Sequence, residues 1–81
     1  MRVRIKLFAA ARELAQRDTL EVELEPDATI DDLQRAAILA VPALGKLMSH
    51  SLWAVNSNYV PSNTAISEDS DVAMIPPVSG G

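Results

Sequence analysis

The 81-residue chain contains no cysteine. That absence excludes a disulfide framework, a thiolate nucleophile, a Cys-ligated zinc or iron–sulfur site and a side-chain persulfide. Basic residues are few, with seven Lys and Arg against eleven Asp and Glu for a net charge of −4. Such a chain lacks the clustered cations that neutralise phosphate, so no nucleic-acid partner is expected. No apolar run nears the ~18 residues of a membrane span. The opening Met1-Arg2-Val3-Arg4-Ile5-Lys6 meets a charge at every second residue, which does not suit a signal peptide. The expectation is a soluble cytoplasmic protein with no membrane association. The single histidine, His50, stands between Ser49 and Ser51. Side chains adjacent in sequence diverge, so a catalytic triad is not expected, and one His with dispersed carboxylates gives no zinc geometry. The run Glu68-Asp69-Ser70-Asp71 is too short for a calcium loop, and no glycine-rich phosphate loop is present. Side-chain catalysis, a metal and a permanently bound cofactor are therefore not expected.

Apolar residues make up 48 % of the chain, but 12 of those 39 are alanine. The Leu, Val, Ile and Met residues must fill one small core. Val3, Ile5 and Leu7 alternate with Arg2, Arg4 and Lys6; Leu20, Val22 and Leu24 alternate with Glu21, Glu23 and Glu25. Period two marks strands with one wet face. Their opposite outer charges predict that the two strands pair. Between them, residues 9–16 are rich in Ala, Leu, Arg and Glu and predict a short helix. Thr29 can cap a second helix, and Asp31 and Asp32 set negative charge at its positive end. Ile30, Leu33, Ala37, Ile38 and Val41 form its apolar stripe, and Pro42 ends it. Residues 43–48 read as a further helical turn limited by Gly45. Short strands are predicted over residues 52–55 and 59–60, around an Asn56-Ser57-Asn58 turn. Val72-Ala73-Met74-Ile75, apolar on both faces, suits a central strand.

This order, with a right-handed crossover setting the last strand beside the first, is the β-grasp (ubiquitin-like) arrangement. It is an α+β fold: a mixed sheet with one main helix packed on one face and a flexible C-terminal Gly-Gly tail. The domain is assigned to residues 1–78 and the tail to residues 79–81. One helix covers one sheet face, so apolar groups of the final strand should remain on the uncovered side as a partner surface.

From Val72 to Gly81 no side chain is charged. The terminal carboxylate is then the only ion of the last ten residues, and at neutral pH it is a poor electrophile. A second enzyme must activate it, most simply as an acyl-adenylate made with ATP. Gly80 and Gly81 can thread a channel too narrow for a Cβ. Pro76 and Pro77 deny the exit a ladder partner, so the tail leaves as an arm of roughly 13 Å.

The chain resembles the small subunit of molybdopterin synthase, a ThiS-like β-grasp family of sulfur carriers. The resemblance rests on Phe8-Ala9-Ala10-Ala11-Arg12-Glu13-Leu14, Val55-Asn56, Glu68-Asp69-Ser70-Asp71-Val72 and the ending Ile75-Pro76-Pro77-Val78-Ser79-Gly80-Gly81. Two departures stand out. The Phe8-to-Arg12 spacing is one residue longer than the family's, and Asp69 occupies a turn position usually held by glycine. If that turn needs positive φ, aspartate costs on the order of 1 kcal/mol there.

The resemblance implies that an adenylyltransferase/sulfurtransferase activates Gly81 with ATP and converts it to a thiocarboxylate. The carrier then serves a heterotetramer with the large, catalytic synthase subunit, where sulfur passes to cyclic pyranopterin monophosphate and builds the molybdopterin dithiolene. The carrier itself is the non-catalytic sulfur donor. In that scheme Gly81 carries sulfur, and Gly80 and Ser79 thread the partner's pocket. Phe8, Met74, Pro76, Pro77 and Val78 are the candidate docking residues, and Arg12 and Glu13 form a local ion pair or a partner contact. The alternatives are a β-grasp carrier for thiamine synthesis or tRNA thiolation, a non-covalent ubiquitin-like interaction module, and protein conjugation in the manner of ubiquitin.

Overall fold

The computed structural model describes residues 1–77. Strand β1 (Arg2–Leu7) leads through helix α1 (Ala9–Ala15) to β2 (Thr19–Glu23). The main helix α2 (Ile30–Ala40), a 3-10 turn (Pro42–Leu44) and a one-turn helix α3 (Gly45–Met48) follow. Strands β3 (Leu52–Val55), β4 (Asn58–Val60) and β5 (Val72–Ile75) complete a five-stranded sheet of order β2-β1-β5-β3-β4. Only the β1–β5 pairing is parallel, so the sheet is mixed, as the β-grasp reading requires. The expected domain boundary after residue 78 lies outside the described residues.

The charge alternation of β1 and β2 works as expected in register. Arg2 faces Glu23 and Arg4 faces Glu21, with ion pairs of 2.9 and 3.2 Å. These side chains are about half to two-thirds exposed, so their main effect is to penalise a slipped register, not to add stability. Lys6 turns the other way and reaches Asp71, just before β5, at 3.1 Å. The three cations of β1 thus serve strands on both sides of it.

Beneath the sheet, Val3, Ile5 and Leu7 meet Val72 and Met74 from β5, Ile30 and Leu33 from α2, and Leu44 and Met48 from the short helical segments. All nine are under about 2 % exposed. Trp53 joins them, and its indole N–H donates to Gln34 Oε1 at 3.0 Å, so the largest core side chain leaves no polar atom unpaired.

Thr29 caps α2 as expected, and does so reciprocally. Its hydroxyl accepts from the Asp32 N–H, while the Asp32 carboxylate accepts from the Thr29 N–H at 2.9 Å. The next two helix donors, the Ile30 and Asp31 N–H groups, are taken by the Thr64 and Ser62 carbonyls, so the β4–β5 connection closes the helix end. Buried Ile66 pins that otherwise polar connection to the core.

Three local expectations change. Gly45 does not limit the helix after Pro42; it is the first residue of α3, at φ −54°, because buried Leu44 and Met48 anchor the segment on either side. Asp69 is absent from the positive-φ residues, so the anticipated steric cost does not arise. The turn instead closes between Ser67 and Ser70, whose N–H and hydroxyl bond back at 3.0 Å each. Positive φ falls instead on Gln16, Asp27, Asn56, Ser57 and Ala9, the last at 49°, where the chain leaves β1 within the segment whose spacing departs from the family's.

Thr29→Ala should lower unfolding free energy by about 1 kcal/mol at neutral pH. The Thr29 N–H and hydroxyl hold the Asp32 carboxyl below the ordinary carboxylate range. Its contribution is therefore full above the unfolded value near 4 and fades as pH falls through the lowered folded value. Urea midpoints between pH 7 and pH 2 should decline less steeply for Asp32→Asn than for the wild type.

Candidate functional site

Alternation along β5 sorts its residues between two environments. Val72 and Met74 point under the helices, while Ala73 and Ile75 emerge on the open face of the sheet, half-buried. Register sets Leu52 opposite Ile75, Ala54 opposite Ala73, and Tyr59 opposite Ala54, so these side chains share the open face. Phe8, immediately after β1, joins them. Phe8, Ala54, Tyr59, Ala73 and Ile75 line one shallow depression, with Lys6, Ser57 and Asp71 also on its wall.

The open face is thus split. Its β2–β1 half carries paired charges, and its β5–β3–β4 half is apolar. Phe8 (45 % exposed), Leu52 (61 %) and Tyr59 (68 %) are three of the five large apolar side chains that remain exposed among the described residues. Three such groups on one face form a patch suited to a partner, not the scattered apolar exposure of any surface.

A turn clamp holds this patch against the final strand. Asn56 and Ser57 both take positive φ, 51° and 71°, giving the tight two-residue hairpin between β3 and β4. The Asn56 N–H donates to the Asp71 carbonyl at 2.8 Å, and Asn56 Oδ1 accepts from the Asp71 N–H at 2.9 Å. Asp71 also binds Lys6. One residue pair therefore ties β1, the β3–β4 hairpin and the start of β5 together. The Asn56-Ser57-Asn58 pattern predicts only a turn; the reach of Asn56 to Asp71 depends on strand order and is invisible before folding.

The expected docking residues divide accordingly. Phe8 lies on the open face. Met74 does not: it is fully buried, because its parity on β5 is that of Val72, the helix-covered side. Its neighbours Ala73 and Ile75 take the surface position instead. Pro76 is half-buried and Pro77 exposed, just past the last ladder pair Leu52–Ile75. Val78, Ser79, Gly80 and Gly81 lie outside the described residues.

Arg12 and Glu13 form no pair with each other. Arg12 Nε sits 3.9 Å from Asp18 Oδ1, so the contact braces the α1–β2 connection. The two serines beside His50 donate to backbone carbonyls, Ser49 to Lys46 and Ser51 to Leu47, both at 2.7 Å. Among the described residues no group of three or more His, Asp or Glu side chains could hold a metal ion, and no helix is long and apolar enough to cross a membrane.

A family model described as the ThiS family matches residues 5–81. The molybdopterin synthase sulfur carrier subunit of Chlamydomonas reinhardtii is 36 % identical over 83 residues, covering 100 % of both chains. Small archaeal modifier protein 1 of Haloferax volcanii is 34 % identical over 94 % of this chain and 97 % of its own length. A crystal structure of that protein superposes at a TM-score of 0.88 with 30 % identity, covering both chains fully. The fold also matches, at a TM-score of 0.69 and 20 % identity over both full chains, a complex of subunits 1 and 2 of the molybdopterin-converting factor of Helicobacter pylori.

The division between core and patch is testable by stability alone. Met74→Ala should cost about 2–5 kcal/mol in denaturant unfolding. Tyr59→Asp should stay within about 0.5 kcal/mol of the wild type.

Proposed function

Because the chain belongs to the ThiS family, we propose that it is the sulfur carrier subunit of molybdopterin synthase. The observation that carries this reading is end-to-end similarity to relatives bearing that name, together with a charge-free ending in Gly80-Gly81. The open apolar face, on the strand that leads into that ending, supplies the docking surface such a carrier needs.

The chemistry follows from having no thiol. A carboxylate oxygen of Gly81 attacks the α-phosphorus of ATP on an activating enzyme, and pyrophosphate leaves. The acyl-adenylate is now a good electrophile; a sulfur nucleophile from a donor displaces AMP, and the product is a thiocarboxylate. That sulfur is anionic at neutral pH and nucleophilic, so it can be delivered to cyclic pyranopterin monophosphate on the large synthase subunit. Hydrolysis of the acyl group then restores the carboxylate. ATP is consumed at loading only, and no cofactor resides on the carrier. The cycle runs in the cytoplasm, in a heterotetramer of two carriers and a dimer of large subunits.

Docking on the large subunit rests on Phe8, Leu52, Tyr59 and Ile75, with Pro76 and Pro77 directing Val78 and the residues beyond it toward the partner's cleft. Aromatic anchors of this kind dominate interface energetics when they enter a pocket. A second reading, conjugation to protein amines, draws on the name of the Haloferax volcanii relative, a modifier protein. Both readings require an activated Gly81 and differ in the acceptor, sulfide-level sulfur or a lysine amine.

Intact mass of the chain made with its activating enzyme and ATP should show one oxygen exchanged for sulfur at the C-terminus. Deletion of Gly81 should abolish that exchange without changing the unfolding midpoint; sulfur retained after the deletion would refute the carrier reading. Isopeptide adducts on other proteins, with no thiocarboxylate, would favour the modifier. Phe8→Asp should weaken capture of the large subunit by about thirtyfold, the equivalent of about 2 kcal/mol, while Gly81 is still loaded.

A further inference from the structure

Two apolar surfaces flank the sheet: the open-face patch and, on the helix side, a groove lined by Leu14, Ala43, Leu47 and Pro77 with Lys46 on its wall. Neither includes the outer edge of β2, where the sheet ends with no further strand among the described residues.

The β1–β2 ladder fixes which backbone groups that edge exposes. The Leu24 N–H donates to the Met1 carbonyl at 2.7 Å, and the Leu7 N–H donates to the Asp18 carbonyl at 2.8 Å. Both bonds belong to one antiparallel register, in which bonded and non-bonded pairs alternate. Met1–Leu24, Val3–Val22, Ile5–Leu20 and Leu7–Asp18 are the bonded pairs, so the N–H and C=O groups of Thr19, Glu21 and Glu23 point away from β1. They form a row of donor–acceptor sets about 7 Å apart. The opposite edge of the sheet offers far less. The β3–β4 hairpin closes on the Val55–Asn58 pair, which turns Tyr59 outward, and Pro61, next in the same parity, has no N–H.

Charge selects the occupant of the β2 edge. Glu23 gives Oε1 to Arg2 and Glu21 gives Oε2 to Arg4, and the second oxygen of each accepts no hydrogen bond among the described residues. Full antiparallel overlap with the β2 edge of a second copy would set Glu21 against Glu21 on one face, which disfavours self-pairing. On the other face Leu20 and Val22 are buried beneath the helices, so an added strand needs apolar residues at alternate positions. The chain already contains a strand of that description. On the inner side of β2, Arg2, Arg4 and Lys6 alternate with Val3, Ile5 and Leu7.

We propose that the outer edge of β2 is a docking site for an extended partner segment in which Lys or Arg alternates with apolar residues, as it does in β1. The backbone of the segment pairs with Thr19, Glu21 and Glu23, and its cations reach the second oxygens of Glu21 and Glu23. Strand β1 separates this edge from the apolar patch, so both can be engaged at once. The site goes beyond the carrier reading and does not depend on it.

The probe is a capped peptide of alternating Lys and Val, added to isotope-labelled full-length chain and followed by amide hydrogen exchange. In the free chain Leu20 and Val22 should exchange slowly, and Glu21 and Glu23 fast. Saturating peptide should slow Glu21 and Glu23 about tenfold and leave Tyr59 unchanged. The same peptide N-methylated at every residue keeps its charges but has no backbone donor, and it should cause no slowing. Glu21→Gln combined with Glu23→Gln should weaken the peptide about tenfold, with the unfolding midpoint checking that the fold survives. Fast exchange at Glu21 and Glu23 in a large excess of peptide would overturn the proposal, as would equal action of the N-methylated peptide or of a Glu-Val peptide. Slowing that needs no peptide and grows with protein concentration would assign the edge to a second copy and overturn it too. None of these outcomes bears on the thiocarboxylate mass, by which the carrier reading is judged.

Discussion

The structure depends on where β5 goes. The last strand of the chain is the middle of the sheet, parallel to β1 on one side and antiparallel to β3 on the other. Val72 and Met74 therefore complete a core that is begun by Val3, Ile5 and Leu7 at the opposite end of the sequence. Pairings of such long sequence separation are slow to form, because loop closure must be met before the contacts reward it. Their consequence is that the described chain ends two residues past the central strand of the sheet, which is paired on both sides.

Holding β5 in place needs more than apolar parity. The two Asn56–Asp71 hydrogen bonds, one from the Asn56 backbone and one to its side chain, and the Lys6–Asp71 ion pair converge on the residue before the strand begins. They fix its register from both neighbouring strands. The ion pair is exposed and contributes little alone, but the two backbone-directed bonds of Asn56 are short and specific. A slip of one residue would exchange Met74 for Ile75 in the core and drive Met74 onto the open face. The clamp therefore protects the core and the open apolar patch at once, since both are read from the same alternation.

That alternation also explains what could and could not be read in advance. The paired amphipathic strands, the Thr29 start of α2, its stop before Pro42 and the central place of β5 follow from period, charge and proline chemistry, all local properties. The surface expectation for Met74 fails because a strand apolar on both faces gives two sets of residues but not the identity of the covered one. That identity comes from the crossover of α2, a global property. Propensity alone makes Gly45 a helix limit, and the burial of Leu44 and Met48 outweighs it. Phe8 lies on the open face by the same parity as Arg2, Arg4 and Lys6, just before the chain turns at Ala9. The chemistry proposed for Gly81 has a different footing. It rests on main-chain carboxylate and the lack of side chains around it, which need no fold to be recognised.

The two apolar surfaces belong to opposite sides of the sheet, and β5 with its two prolines lies between them. Pro76 and Pro77 cannot donate to a ladder, so neither β1 nor β3 can extend its pairing along them through their nitrogens. The sheet must end at Ile75, where Leu52 is its last partner. With the ladder ended there, Pro76 and Pro77 take no part in the sheet. The two sides differ in charge: Lys6 on the open face is paired with Asp71, while Lys46 on the helix side forms no ion pair among the described residues. A proline pair at this point does what a β-former could not: it withdraws two successive backbone donors directly after Ile75, so the central strand ends at a fixed residue.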